Sequence, residues 1–332
     1  MIARAAFLKG VAAATTVATG GLDVWDPGNP QVRVLIGDLG GAEQPRVFDD
    51  GTFGFGGKRW RGSPSTVRLD DGRMVLVTAI DIDQYLAGVL PLEVPSSWPA
   101  AALQAQAIVA RSFALLRRTL TRSYDLTATD ADQRWGGVDA EIPACTAAIA
   151  ATRGLTLRYM NAPAAVYYSA CCGGHTADVA AMWNSFPYPY LRGVVDPYCT
   201  PAPDYRWSRD VPVDRAVSVF GTRTGGTLSA AALTDPDGTG RPRAVVLTGN
   251  QTANVPVADF RRGMGYDVVR SLWLRTVRID AAQAAGRLLI EGSGRGHGVG
   301  LCQWGARYFA SAGASVATIL AFYFPGTSVS GG

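Results

Sequence analysis

The chain has 332 residues, 48% of them hydrophobic and 17% charged, a composition that can build a core and excludes a disordered polypeptide. Its 31 basic residues against 27 acidic ones leave a net charge of +4, too small and too scattered for a nucleic-acid-binding footprint. The 39 glycines and 19 prolines predict a loop-rich fold, and beyond the N-terminal segment no apolar run is long enough to span a bilayer.

In chain order, residues 1–22 place Arg4 and Lys9 around and ahead of a soft apolar stretch from Val11 to Ala18, with no acidic residue before Asp23. That is the layout of an export signal or N-terminal anchor, the alternative being an alanine-rich terminal helix. Alternation over Gln31 to Ile36 predicts a strand, and Thr66 to Ile80 reads as two strands around Asp70-Asp71-Gly72, so the N-terminal portion is β-rich. After Pro95, Ser96 and Ser97 offer caps and Pro99 suits a first turn, which predicts a helix to about Leu120. Along it Leu103, Ala107, Ala110 and Ala114 form a buried stripe, and Gln104 and Arg111 share the neighbouring face. A second helix is expected over about Pro143 to Arg153, stopping at Gly154, with strands Leu155 to Met160 and Ala164 to Ser169 after it. Residues 200–290 are mostly strand-like, clearest at Ala244 to Thr248 and Leu274 to Ile279, with a loop over residues 236–240. Two last helices are expected, at about Gln303 to Ala312 and Ser315 to Tyr323.

Four segments carry groups capable of chemistry. Glu93 stands between Leu92 and Val94 in a proline-bounded turn, a setting for a general acid and equally for a helix cap or an ion pair with Arg111. Around Gln133, Asp130, Asp132 and Trp135 mix polar groups with an aromatic ring, as sugar sites do and as a polar loop over one core tryptophan also would. Cys171, Cys172 and His175 offer two or three zinc donors, a thiol nucleophile with an imidazole base, or half of a disulfide to Cys199. The segment Gly296-His297-Gly298-Val299-Gly300 leads through Cys302 and Gln303 into a helix, and its glycines allow close backbone approach to a ligand or a purely structural turn. The five cysteines fit neither a zinc ribbon nor a dense disulfide scaffold.

In this order the segments resemble the stage II sporulation protein D and amidase-enhancer family of bacterial cell-wall proteins. The resemblance rests on Tyr85-Leu86-Ala87-Gly88-Val89, Glu93-Val94-Pro95, Gln104 through Ala110-Arg111, and Gln133-Arg134-Trp135-Gly136-Gly137. It continues through Thr152-Arg153-Gly154, Tyr168-Ser169 to His175-Thr176, Pro189-Tyr190-Leu191, Gly296 to Gly300, and Tyr323 to Thr327. Val94 stands where the family usually has methionine, Trp135 and Trp304 where it has tyrosines, and Cys302 where serine is frequent.

The resemblance implies an α+β fold of mixed helices and antiparallel strands around a long glycan-binding groove, carried by one peptidoglycan-acting domain over about 31–330. It implies an extracytoplasmic lytic transglycosylase that cleaves glycan strands stripped of their peptides, with Glu93 as the catalytic residue. Gln104, Arg111, Gln133, Trp135, Tyr168, Ser169, His297 and Gln303 become candidate substrate-binding residues. No cofactor is required, although zinc on Cys171, Cys172 and His175 is an expectation carried over from some members. The expected partners are peptidoglycan glycan strands and a cell-wall amidase, with no nucleic acid. The alternative function is a non-catalytic glycan-binding enhancer of an N-acetylmuramoyl-L-alanine amidase, and a cysteine-histidine hydrolase at Cys171 and His175 is a third reading.

Overall fold

The computed structural model describes residues 30–40, 44–280 and 286–331, so the export segment expected at 1–22 lies outside the described residues. The fold is α+β, and its contacts divide it into two compact units rather than one domain. One unit holds the described residues up to Val166 together with those from Thr327 onward, and the other runs from Tyr167 to Gly326.

In the first unit a four-stranded sheet has the order Ser63–Arg68, Met74–Asp81, Gln31–Asp38, Leu126–Thr127. Its first three strands are antiparallel and the last is parallel to its neighbour. The expected hairpin is present, closed by Gly72 at φ 86°, a backbone conformation open to glycine at no steric cost. Val32, Val34, Thr78 and Ile80 are buried on one face of this sheet, and Val75 and Val77 are buried on the other.

Helix α1 (Ile82–Glu93) follows directly, where the prolines had suggested a turn. Asp81 caps it, its Oδ1 accepting the N–H groups of Asp83 and Gln84 at 3.0 Å each. Pro91 lies inside the last turn, and the helix ends because Val94 is extended, as a residue before proline must be. Helix α2 (Ala100–Leu116) begins after Pro99, without the serine cap that Ser96 and Ser97 seemed to offer. Twelve of its residues are buried, so it is enclosed on several sides and not along a single stripe. Helix α3 (Pro143–Ala151) precedes the strand Leu155–Tyr159, which pairs with Ala162–Pro163 and with the C-terminal strand Ser328–Gly331.

The second unit owes its independence to the β-rich stretch seen in the sequence, which builds its own core. Two three-stranded sheets, Trp207–Pro212 with Arg287–Ser293 and Trp273–Asp280, and Ala230–Leu233 with Ala244–Thr248 and Thr252–Pro256, are antiparallel throughout. Their buried faces share one hydrophobic cluster with the helices Val213–Thr224 and Val257–Met264, centred on Phe220, Val245, Leu247, Phe260 and Ile290. Only Tyr168–Ser169 of the strand expected up to residue 169 is extended, paired in parallel with Leu301–Cys302. The two closing helices occur as expected, at Gln303–Ser311 and Val316–Tyr323. Among the described residues no helix is long and apolar enough to cross a membrane.

Candidate functional site

Glu93 is the final residue of α1 and is half-buried. The helix that carries it is locked by its own motif. Tyr85 is fully buried, and its hydroxyl donates to Gln133 Oε1 at 3.4 Å while Gln133 Nε2 donates to the Ala110 carbonyl at 3.3 Å. The Trp135 ring, also buried, stands 4.9 Å from Trp60 and 5.6 Å from Tyr85 between centroids. A Cβ on Gly88 would come within 2.5 Å of Trp135 Nε1, so this helix position accepts only glycine, and the Gly136 N–H closes the contact on the Gly88 carbonyl at 3.0 Å. The Tyr85-to-Val89 motif thus clamps residues 133–137 against α1. Burial first, then the charges of Asp132 and Glu93, push the Tyr85 hydroxyl well above the ordinary tyrosine range, which places the Glu93 carboxylate within electrostatic reach of this cluster.

Several residues expected to line a groove are interior framework. Arg111, expected on the helix face it shares with Gln104 as a substrate contact, is fully buried. Its Nε and Nη2 donate to Asp83 Oδ1 at 3.0 and 2.8 Å, Nη1 to the Leu155 carbonyl at 3.2 Å, and Nη2 to the Ile149 carbonyl at 3.2 Å. One guanidinium therefore ties α1, α2, α3 and the following strand together, and its binding partner is protein rather than sugar. Asp83 also accepts from Arg153 Nε at 3.2 Å, which gives the Thr152-Arg153-Gly154 segment a structural role. Gln133 and Trp135 are likewise interior, at 1% and 2% exposure. Gln104 is half-buried, whereas Gln106, two residues on, is buried with neither amide atom hydrogen-bonded among the described residues. Sequence reasoning passed over Gln106; the signal was its place on the alanine-lined side of the helix.

In the second unit the glycines of the 296–300 loop alternate for a steric reason. Gly296, Gly298 and Gly300 all have positive φ, and Cβ atoms there would lie 2.9 Å from Ser169 Cβ, 2.8 Å from Arg241 Nη2 and 2.1 Å from the Tyr167 carbonyl oxygen. Ser169 is buried, its Oγ accepting the Gly298 N–H at 3.1 Å. His297 Nδ1 accepts the Val299 N–H at 3.0 Å, which puts the proton of the neutral ring on Nε2. Its ring is half-buried, with centroids 5.1 Å from Trp183 and 6.4 Å from Tyr167. Tyr168 is half-buried in the short parallel pair, and Gln303 is buried at the start of the last-but-one helix.

The expected zinc donors Cys171, Cys172 and His175 do not converge as a set. His175 Nδ1 lies 2.6 Å from the Thr176 carbonyl, and the closely spaced donors instead comprise Cys172, Asp196, Cys199 and Cys302, all buried and with ligand atoms within 4.8 Å of one another. Cys172 Sγ is 3.5 Å from Cys199 Sγ and 3.1 Å from Asp196 Oδ2, and Cys302 Sγ accepts the N–H groups of Cys172 and Gly305 at 3.2 and 3.3 Å. Hydrogen bonds from Cys171, Cys172 and Cys302 hold the Cys199 thiol far below the ordinary thiol range, while burial pushes Cys172 and Cys302 up.

Residues 70–159, which include α1, Glu93, α2 and α3, match the model of the family described as Stage II sporulation protein. That defines the class of protein to which the Glu93 unit is similar. Over 90% of this chain and 80% of its own length, an uncharacterized protein of Brachyspira hyodysenteriae is 30% identical. The Stage II sporulation protein D of Bacillus amyloliquefaciens is 28% identical over 76% of this chain and 75% of its own. The Amidase enhancer of Bacillus subtilis is 28% identical over 74% of this chain, which spans 40% of that relative. The chain belongs to the stage II sporulation protein D and amidase-enhancer family.

Proposed function

We propose that the protein is an extracytoplasmic lytic transglycosylase of peptidoglycan, acting on glycan strands stripped of their peptides, with Glu93 as its one acid/base. The observation that carries this reading is the seating of the Glu93 carboxyl at the end of a helix whose position is fixed by Gly88 and Trp135.

Hydrolytic glycosidases generally need a second carboxylate to activate water or attack the sugar. A lytic transglycosylase does not, because the C6 hydroxyl of N-acetylmuramic acid is the nucleophile. Glu93 gives its proton to the glycosidic oxygen as the bond from C1 to the N-acetylglucosamine O4 breaks. O6 then bonds to C1, and its proton passes to the Glu93 carboxylate, leaving a 1,6-anhydro end and the acid restored. Attack from within the same sugar removes the entropy cost of capturing a second reactant.

Within the same unit, half-buried Gln104 is the proposed substrate contact; the half-buried His297 ring with its aromatic neighbours Tyr167 and Trp183 is a separate proposed sugar contact of the second unit. The test is mass spectrometry of soluble products from amidase-denuded glycan strands. Anhydro-ended sugars from wild type and none from Glu93→Gln are expected; equal release by the variant would overturn the mechanism.

A second reading, glycan-binding enhancement of a cell-wall amidase, is favoured by similarity to the Amidase enhancer. It predicts no product from the protein alone and an accelerated amidase reaction that persists in Glu93→Gln.

A further inference from the structure

We propose that a cavity of the second unit lined by Arg206, Arg275 and Glu291 binds an α-amino-acid head group, its carboxylate on the two guanidinium groups and its ammonium on Glu291. The inference stands apart from Glu93 and concerns binding, with no chemical step. The cavity has a volume of about 590 Å³, and Trp207, Ser208 and Gly292 complete its lining.

Strand pairing brings the charges together. Ser208, Glu291 and Thr276 stand opposite one another on three adjacent antiparallel strands, so their side chains rise from one face of the sheet. Arg275 is the extra residue where the register shifts between Leu274 and Thr276, and such a bulge turns a side chain out of the regular alternation. Gly292 lets the Trp207 indole lie against its strand, since a Cβ there would run into the six-membered ring. Trp207 Nε1 donates to the Gly294 carbonyl at 2.9 Å, which fixes that ring.

Both guanidinium groups are held by aromatic faces and neutral acceptors. Arg275 Cζ lies 4.0 Å from the Trp273 ring centroid, and Nε donates to Ser293 Oγ at 2.9 Å. Arg206 Cζ lies 4.1 Å from the Tyr205 centroid, and Nη1 donates to the Gly173 and Tyr205 carbonyls at 3.0 and 2.9 Å. Among the described residues neither arginine forms an ion pair, and neither does Glu291, while the neighbouring Asp204 is taken by Arg270 and Arg295. A stacked guanidinium keeps its N–H edge in the plane that grips a carboxylate by two oxygens. Burial first, and then the charge of Arg206, hold Arg275 below the ordinary arginine value, the mark of two like charges turned toward one cavity.

The mixture of signs selects the ligand. A phosphate would meet the Glu291 charge and a plain carboxylate would leave it unanswered, whereas an ammonium beside a carboxylate answers both. Those two groups share one carbon in a free amino acid and at the outer end of a diamino dicarboxylic acid held in a peptide by its other end. The termini of an ordinary peptide keep them far apart.

The experiment is isothermal titration calorimetry of the full chain with alanine, with a tripeptide ending in meso-2,6-diaminopimelic acid, with acetate and with inorganic phosphate, all at equal ionic strength. Saturable binding of alanine or the tripeptide, at least about tenfold tighter than that of acetate or phosphate, is expected. Glu291→Gln should lose about tenfold for these ligands and none for acetate, and Arg275→Gln should lose about tenfold or more for every carboxylate. Both side chains are exposed, so the fold does not rest on them, and the wild-type selectivity needs no variant. Equal affinity for alanine and the tripeptide assigns the site to free amino acids and tighter binding of the tripeptide assigns it to peptides, and both outcomes support the head-group site. Phosphate binding tighter than either, no saturable binding of either, or Glu291→Gln binding both as wild type does would each overturn the proposal.

Discussion

Trp135 Nε1 lies 2.5 Å from the point where a Cβ on Gly88 would stand, so the indole occupies the space that glycine leaves on α1. This contact holds the 133–137 loop to the helix that ends in Glu93, and it makes Gly88 a packing residue with consequences for the site. Gly88→Ala forces the indole out of a filled core and should cost about 1–3 kcal/mol. Thermal unfolding and near-ultraviolet circular dichroism of the variant check it. A stable variant with an unchanged tryptophan signal would show that the loop relaxes freely.

Arg111 and Asp83 form a second such relationship, a guanidinium at 0% exposure on a carboxylate at 13%. Arg111→Met leaves Asp83 its bond to Arg153 but removes the donors of the Ile149 and Leu155 carbonyls, so it should destabilise the first unit by roughly 3 kcal/mol. Asp83→Asn should do nearly as much, because Arg111 would remain buried with its charge uncompensated. If Arg111→Met instead preserved the melting temperature and abolished glycan binding, Arg111 would be a substrate contact after all.

Gln106 buries an amide whose two polar atoms make no hydrogen bond among the described residues. A buried unpaired polar group costs about 1–3 kcal/mol, so Gln106→Leu, close in volume and apolar, should raise stability by an amount of that order. Urea denaturation measures it. A loss of stability would mean the amide is satisfied in solution, most simply by water.

Alkaline pH should weaken the fold through Tyr85. Burial, with the charges of Asp132 and Glu93 adding to it, raises this hydroxyl well above its ordinary value. The unfolded chain releases the proton near pH 10. The folded chain keeps it, so the contribution of Tyr85 to stability is complete below about pH 10 and is lost as the pH climbs toward the raised folded value. Between pH 9 and pH 11 Tyr85→Phe should lose less stability than wild type. Parallel declines would show that other groups drive alkaline unfolding.

The local elements were legible wherever one short-range signal decided them. Asp70-Asp71-Gly72 specifies its hairpin, Pro143 and Gly154 bracket α3, and Gly313 separates the closing helices. Helix α1 was not legible, because Pro91 and Pro95 read as breaks, although only the second one ends the helix. The Gln104 and Arg111 face was drawn correctly on a helical wheel, but a wheel does not reveal that α2 is enclosed on several sides.

The sequence by itself determined the family-bearing motifs, the glycine positions that permit them, and Glu93 as the carboxyl to test. Only the tertiary structure decided which residues serve the framework and which donors meet. Cys171, Cys172 and His175 are neighbours along the chain, yet the fold draws Cys199, Cys302 and Asp196 to Cys172 and leaves His175 outside that donor group. The reason is that metal ligation and burial depend on distances in space, which in this unit are set by the parallel pairing of Tyr168–Ser169 with Leu301–Cys302, more than a hundred residues apart in sequence.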